Sequence, residues 1–537
     1  MKRPEISELT LREKIGQTAV IAAAYGDGIE NQLEKNPYGF IWICGGKGLH
    51  EEKEEGDTLT SSDYRNWMAK FDQKVKVPVA PVMDCTRGAR NFFDDLNDMV
   101  PQLNVGAADS EELTYEYSKC LTKELVSAGV RWCWSPVMDI KPSVTRVFSV
   151  HPDDAIKHGL AFTKAMQENG VAACFKHFPG GGKEILGDPH FVNTVCNISP
   201  EEWWEGPGRV FQEGIDAGVY SIMVGHSFYP KFDNTRIAGN GVTTTLSYKV
   251  VTELLKEKMG FDGVVVTDDV SMGSLARMYP REQLYVELLK AGNDAVLGVA
   301  DDYIDIVEKA ILDGDLEESR IDDACRRVLE MKEKLGMFAD DYKNGIPITE
   351  EDLEKTRKCN TEIAEKSVTL LCDKLNQIPF NQNDVKNVAI ICLTHREVAF
   401  EALNDMKSEF ERRGIGVRLQ RRIASKEELK EIADTNDLII YAGYLGPHAP
   451  FGACSFYDDE MMALFHALSH GKEKSIGISL GTPYMYQEFF PAINIFANLY
   501  NYCKDSQVGF VKALFGEIPF QTKSPVDIVT LESLIEG

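Results

Sequence analysis

The sequence predicts an α/β protein with an N-terminal (β/α)8 TIM-like barrel followed by a C-terminal α/β open-sheet domain. Apolar, strand-like segments alternate with helical patterns as far as Ala300, and this alternation indicates parallel strand pairing. Ionisable residues follow most of these segments, as they do at the active-site end of such a barrel. The chain has 537 residues, more than one hydrophobic core usually serves, which favours a second domain.

Eight segments are the predicted barrel strands. Helical patterns such as Ser110–Gly129 and Tyr248–Gly260 lie between most of them, so a helix can connect each strand to the next. The predicted strands, in chain order, are Gln17–Ala22, Phe40–Gly46, Val77–Asp84, Arg131–Asp139, Gly170–His177, Val219–His226, Gly263–Asp269 and Asp294–Ala300.

The second domain is expected after a polar, turn-rich linker. We predict the catalytic barrel over residues 1–340, the linker over 341–360 and a C-terminal α/β sandwich domain over 361–537. Apolar segments again alternate with helical patterns there, which favours an open parallel sheet. Its predicted strands are Glu365–Leu371, Asn387–Leu393, Asp437–Tyr444, Lys474–Gly481 and Ile493–Leu499.

The composition argues against several classes of protein. A net charge of −26 disfavours nucleic acid and anionic membranes as partners. No apolar run approaches the roughly 18 residues that span a bilayer, and Met1–Gln17 lacks the apolar stretch of a secretory signal. The 12 cysteines are scattered without a C-x-x-C pair, as is typical of reduced thiols. We therefore expect a cytoplasmic location.

The segment Cys174–Phe191, CFKHFPGGGKEILGDPHF, concentrates polar groups after a buried strand. Its three consecutive glycines cannot continue the strand, and they lack the spacing of a phosphate-binding loop. Lys176 could form the Schiff base of a lyase, donate hydrogen bonds to substrate hydroxyls or pair with a carboxylate. Alternation along a strand would point Lys176 and His177 to opposite faces, so the two need not act together.

Carboxylates and imidazoles supply the remaining candidates. Asp268 ends a predicted strand and is expected to face the cavity, whereas Asp269 suits the N-cap of the next helix. Asp188 precedes His190 by two residues, and such a carboxylate can orient an imidazole and raise its pKa. No second carboxylate cluster lies at metal-ligand spacing, so we do not expect a metal at these carboxylates. Further ionisable residues at predicted strand ends are Asp84, Asp139 and His226.

These motifs resemble glycoside hydrolase family 3, and in particular its β-N-acetylglucosaminidase branch. That branch carries K-H-F-P-G-H-G, then D-x-H, then a strand ending in [ST]-D-[DAS]. The corresponding stretches here are KHFPGGG, DPH and TDD. Shorter matches run in order along nearly the whole chain: LTLREKIGQ, SPVMDI with TRVFSVHPDD, SIMVGHSFYP, GFDGVVV and ISLGTPYMY.

The resemblance implies a retaining exo-β-N-acetylglucosaminidase that works through a covalent glycosyl-aspartate. Such a mechanism requires no metal and no organic cofactor. The resemblance assigns Asp268 as the nucleophile and His190 as the proton carrier, with Asp188 orienting the imidazole. The residues that it assigns to the sugar or its surroundings are Asp84, Arg146, Lys176, His177 and His226.

Two positions depart from the family pattern where substrate would be contacted. Gly181 stands in place of the second His of K-H-F-P-G-H-G, and Thr86 replaces the Glu of D-x-E-G-G-R, whose Arg is matched only loosely by Arg90. Glucose or xylose therefore remain alternatives to N-acetylglucosamine.

Other activities also stay open at the level of sequence. A neutral His as proton carrier does not repel phosphate, so a β-N-acetylglucosaminide phosphorylase is an alternative to a hydrolase. The candidates Asp268, Asp188 and His190 argue against a non-catalytic sugar-binding protein. The expected partner is a small oligosaccharide or glycoside, and a homodimer is left open.

Overall fold

A computed structural model divides the chain into two compact units. The first contains residues 1–99, 114–141 and 159–357, and the second contains 100–113, 142–158 and 358–537. The predicted domains are each continuous in sequence, so residues 100–113 and 142–158 were assigned to the barrel and not to the second unit. The domain boundaries themselves stay a prediction. The structure describes all residues except 1, 24–29, 44–58, 73–74, 142–144, 182–183, 186–189, 238, 340–344, 395, 422, 424, 446–466, 468, 487–492 and 529–537.

Parallel strands of the first unit follow one another around a closed ring. Within the described residues, one run of neighbours has the order β8-β1-β2-β3-β4 and the other the order β7-β6-β5. Parallel bridges Trp132–Ala172 and Val266–Ala295 join the two runs at both ends, so the barrel closes. The strands are β1 (Ala19–Ala23), β2 (Phe40–Ile43), β3 (Ala80–Met83), β4 (Trp132–Cys133), β5 (Cys174–Phe178), β6 (Ser221–Val224), β7 (Val264–Thr267) and β8 (Val296–Val299).

Helices connect most of these strands, as the alternating pattern predicts. Short hairpins pair Glu184–Ile185 with Val195–Cys196 and Arg236–Ile237 with Asn240–Gly241. The helices of both units are α1 (Leu11–Gln17), α2 (Glu30–Lys35), α3 (Ser61–Asp72), α4 (Gln102–Ala107), α5 (Glu111–Ser127), α6 (Pro152–Glu168), α7 (Pro200–Glu205), α8 (Pro207–Asp216), α9 (Lys249–Lys258, with wider π-type turns), α10 (Gly273–Ala276), α11 (Arg281–Ala291), α12 (Tyr303–Leu312), α13 (Glu318–Lys334), α14 (Glu350–Ser367), α15 (Glu397–Arg412), α16 (Lys426–Thr435) and α17 (Lys504–Leu514).

The barrel interior is packed with side chains. One buried cluster takes residues from all eight strands: Val20, Phe40, Val82, Trp132, Cys174, Met223, Val266 and Leu297. Such packing makes the barrel a core and leaves the chemistry to its C-terminal end.

A buried lysine satisfies polar groups at the opposite, N-terminal end. Lys332 Nζ donates to Gln17 Oε1 at 2.8 Å, to the carbonyl of Gly39 at 2.9 Å and to that of Pro78 at 2.8 Å. These acceptors precede β1, β2 and β3, so one cation ties three strand beginnings together. Buried carbonyls without such a donor would be costly.

The second unit contains one mixed sheet with the strand order β9-β14-β13-β12-β10-β11. The expected all-parallel pairing is wrong at one edge, where β9 runs antiparallel to β14. Edge strand β11 was not predicted, because polar Arg418 and Gln420 interrupt its apolar pattern. The strands are β9 (Thr369–Asp373), β10 (Asn387–Leu393), β11 (Gly416–Gln420), β12 (Leu438–Gly443), β13 (Ser475–Ser479) and β14 (Ile495–Asn498).

Two apolar clusters cover the faces of this sheet, one including Val388, Ile390 and Ile476, the other Ile391, Ile439 and Tyr441. Neighbouring residues of β10 thus point to opposite faces, as in a strand buried on both sides. In the described part of the chain, no helix is long and apolar enough to cross a membrane.

Candidate active site

A buried lysine meets a carboxylate where β3 and β5 end. Lys176 Nζ lies 2.8 Å from Asp84 Oδ1. The lysine side chain is 1% exposed, whereas that of Asp84 is 34% exposed. The pair therefore fixes a cation beside a carboxylate that still reaches solvent, a combination suited to binding hydroxyl groups.

His177 is held by a second carboxylate that follows the fourth strand. Its backbone N–H donates to Asp139 Oδ1 at 2.9 Å, and its ring Nδ1 lies 3.0 Å from Asp139 Oδ2. Since a carboxylate only accepts, Nδ1 carries the proton. Nε2 then faces Asp268, at 3.8 Å from Oδ2.

The prediction that Lys176 and His177 point to opposite faces of their strand is wrong. Pairing of β5 with β6 shifts register between Lys176 and Phe178, so His177 falls at a bulge. A bulge breaks the alternation of side chains along a strand. Both residues therefore contact carboxylates of the same barrel end.

The groups around Asp268 favour its ionised form. Burial alone would raise its pKa, but His177, His226 and a hydrogen bond from the amide of Asp269 outweigh that effect. That amide lies 2.8 Å from Asp268 Oδ1. The net result is a pKa below the usual range of an aspartate, so the carboxylate is available as a nucleophile at neutral pH.

His226 supports the backbone beside Asp268. Nε2 lies 3.0 Å from the carbonyl of Asp269, and Nδ1 lies 2.5 Å from Thr245 Oγ1. Burial lowers the pKa of His226, although the nearby Asp268 carboxylate opposes this shift. Both ring nitrogens thus have protein partners; the contact with the sugar that the resemblance implies stays a prediction.

Asp269 was expected to cap the next helix, but its side chain binds a backbone N–H in the turn before that helix. Its Oδ1 accepts from the backbone N–H of Ser271 at 2.8 Å, while α10 begins only at Gly273. Asp269 therefore stabilises the turn before the helix rather than the helix itself.

Asp139 stands at a predicted strand end and was not among the predicted site residues. Burial would raise its pKa, yet Lys141 and then His177 lower the pKa well below the usual range. Lys141 Nζ lies 3.9 Å from Asp139 Oδ2. The signal was present in the sequence, because Asp139 occupies the same strand-end position as Asp84.

Lys141 also accounts for a departure from the family pattern. A Cβ on Gly181 would lie 2.8 Å from Lys141 Cδ and 3.0 Å from its Cβ. Gly181 also has φ +77°, a conformation that favours glycine. The lysine stem therefore occupies space that a larger residue at position 181 would need.

The remaining predicted residues are placed as follows. His190 is exposed, and its backbone carbonyl accepts from the N–H of Gly273 at 2.8 Å, five residues beyond Asp268. Asp188 lies outside the described residues. Arg146 is half-buried in the second unit, and its contact with the sugar stays a prediction.

Similarity to a known protein family covers more than half of the chain. The Glycosyl hydrolase family 3 N terminal domain matches residues 10–331. A beta-N-acetylglucosaminidase/beta-glucosidase of Cellulomonas fimi is 24% identical over 514 residues, covering 90% of this chain and 89% of that protein.

Solved structures share the fold at low identity. A beta-glucoside phosphorylase bound to 2FGlc has a TM-score of 0.83 at 21% identity, covering 97% of this chain and 95% of that one. A glycoside hydrolase family 3 beta-N-acetylglucosaminidase from Paenibacillus sp. str. FPU-7 has a TM-score of 0.79 at 21% identity, covering 97% and 99%.

Proposed function

Because the chain belongs to glycosyl hydrolase family 3, we propose that it is a retaining exo-β-N-acetylglucosaminidase. Its substrate is a small oligosaccharide or glycoside with a terminal β-linked N-acetylglucosamine. One arrangement carries the proposal: an aspartate with a lowered pKa faces His177 at the barrel end that also holds the Lys176–Asp84 pair. The D-x-H motif supports the choice of sugar. The name of the Cellulomonas fimi protein includes this activity beside that of a beta-glucosidase.

In the first step, Asp268 attacks the anomeric carbon and the glycosidic bond breaks. His190 donates a proton to the leaving oxygen, and the sugar becomes esterified to Asp268. In the second step, His190 takes a proton from water as the water attacks the same carbon. The aspartate leaves, and the configuration at the anomeric carbon is retained.

An imidazole suits this double role. A ring nitrogen can donate a proton in the first step and take one up in the second, so a single group can serve as both acid and base. Asp188 has the role of orienting the ring.

Asp84 and Lys176 hold the ring hydroxyls, one as acceptor and the other as donor. His177, fixed by Asp139, presents Nε2 toward the same region as Asp268. Fixing the sugar in line with the nucleophile removes orientational freedom before the reaction, an effect worth several kcal/mol.

The test compares nitrophenyl β-glycosides of N-acetylglucosamine, glucose and xylose, each with and without inorganic phosphate. We expect the acetamido sugar to have the highest kcat/KM and free sugar to be the product in both buffers. A tenfold preference for glucoside or xyloside, about 1.4 kcal/mol in transition-state binding, would reject the acetamido branch. Formation of a sugar 1-phosphate with a large rate increase would identify a phosphorylase.

A further inference from the structure

Two hydrogen bonds join the segment of His190 to the residues that follow Asp268, and a third bond lies within those residues. The N–H of Gly273 donates to the carbonyl of His190 at 2.8 Å. Arg277 Nη2 donates to the carbonyl of Phe191 at 2.7 Å, and its Nε donates to the carbonyl of Gly273 at 2.7 Å. One guanidinium thus bridges the two segments while it is locked to its own turn.

The contact depends on close backbone approach. A Cβ on Gly273 would lie 2.9 Å from the carbonyl oxygen of Phe191 and 3.1 Å from that of His190. Both neighbours are backbone atoms, so a side chain at position 273 would push the His190 segment away. Among the described residues, no carboxylate forms an ion pair with Arg277, and its guanidinium donates to the carbonyls of Gly273 and Phe191.

We propose that Arg277 is a positioning residue, which holds the His190 segment against the segment of the nucleophile. This inference rests on the proposed function, because it gives Arg277 an effect only through the proton carrier. Asp268 and Gly273 belong to one short connection after β7, so fixing His190 to Gly273 fixes the acid relative to the carboxylate that attacks. The planar guanidinium of an arginine carries several N–H donors, so one side chain can bind two separate carbonyls at once.

The expected effect is selective for the leaving group. A misplaced general acid slows departure of a basic oxygen, but it matters little when the leaving group needs no proton. Arg277→Ala should therefore lower kcat/KM for the phenyl β-N-acetylglucosaminide about tenfold, with a change of less than about twofold for the dinitrophenyl glycoside. Arg277→Lys keeps the charge but not the several planar N–H donors. Its kcat/KM on the phenyl glycoside should therefore lie between those of wild type and Arg277→Ala.

A double-mutant cycle separates this role from general stabilisation. In the His190→Ala background, Arg277→Ala should produce no further loss, because the group through which it acts is gone. Gly273→Ala should reproduce the leaving-group selectivity of Arg277→Ala by another route. Arg281→Ala is the matched control, since Arg281 is an exposed arginine of α11 that pairs with Asp302.

Amide hydrogen exchange at Gly273 gives a readout that needs no activity. The bond to His190 should protect this amide in the wild type, and Arg277→Ala should accelerate its exchange while Arg281→Ala leaves it unchanged. Unchanged exchange, equal losses on both glycosides, or a full additional loss in the His190→Ala background would each overturn the inference. A wild-type protein that cleaves no glycoside would instead refute the proposed function, and the exchange measurement would still decide whether Arg277 holds the segment.

Discussion

Replacing Asp139 by Asn tests how the site fixes His177. The carboxylate accepts from both the backbone N–H and Nδ1–H of His177, at 2.9 and 3.0 Å. An Asn can accept from the backbone N–H with its oxygen, but its NH2 group would then face Nδ1. The ring must either lose that bond or move its proton to Nε2, on the side of Asp268.

The size of the loss follows from the bond that is removed. A hydrogen bond to a charged group contributes about 1.5–3 kcal/mol. If that energy serves to orient His177 in the transition state, kcat/KM should fall about 10- to 150-fold. Lys141, at 3.9 Å from the carboxylate, would also lose a charge partner, so we expect a lower Tm as well.

The assay is kcat/KM on the nitrophenyl β-N-acetylglucosaminide, measured together with thermal unfolding. Glu124→Gln is the control, because Glu124 is also a buried carboxylate that accepts from the backbone and side-chain nitrogens of one residue, Asn97. It lies on α5, and its replacement should lower Tm but leave kcat/KM unchanged. If Asp139→Asn keeps kcat/KM within about twofold of wild type, well inside the range expected for a lost charged hydrogen bond, His177 is not positioned by Asp139 as described.

Three further predictions follow from the same site. Asp268→Ala and Asp268→Asn should abolish turnover while circular dichroism shows a folded protein; appreciable activity in either would remove Asp268 as nucleophile. His190→Ala should slow phenyl glycosides by roughly 10²–10⁴ and dinitrophenyl glycosides far less, and equal losses would indicate a structural role. The pKa values of Asp139 and Asp268 are lowered by folding, so their ionised forms stabilise the protein above the unfolded pKa near 3.8, and this stability is lost as pH falls through the folded values. Tm should therefore decrease below about pH 4 less steeply in Asp139→Asn than in wild type, and parallel curves would contradict the assignment.

The strands of the barrel could be predicted because each is a short apolar segment bounded by polar residues. All eight predicted segments overlap strands β1 to β8, although their ends differ by up to six residues, as at β4. The strand-end positions of Asp84, His226 and Asp268 followed from the same pattern. Edge strand β11 could not be found in this way, since one of its faces is polar.

Side-chain geometry was harder to predict than strand position. The bulge at His177 depends on register with β6, which is a tertiary property that local alternation does not contain. The packing of Lys141 against Gly181 joins residues 40 positions apart in the chain. A sequence pattern shows both residues, but only the fold shows that one occupies the space beside the other.

Trapping the glycosyl-enzyme tests the central claim most directly. A 5-fluoro-N-acetylglucosaminyl fluoride should form the covalent intermediate quickly and slow its hydrolysis, so intact mass spectrometry should show one added sugar per chain. Peptide mapping should place that sugar on Asp268, within the sequence VVVTDDVSMG, and Asp268→Ala should remain unlabelled. A labelled residue elsewhere, or turnover of the substrate with inversion at the anomeric carbon, would contradict the mechanism.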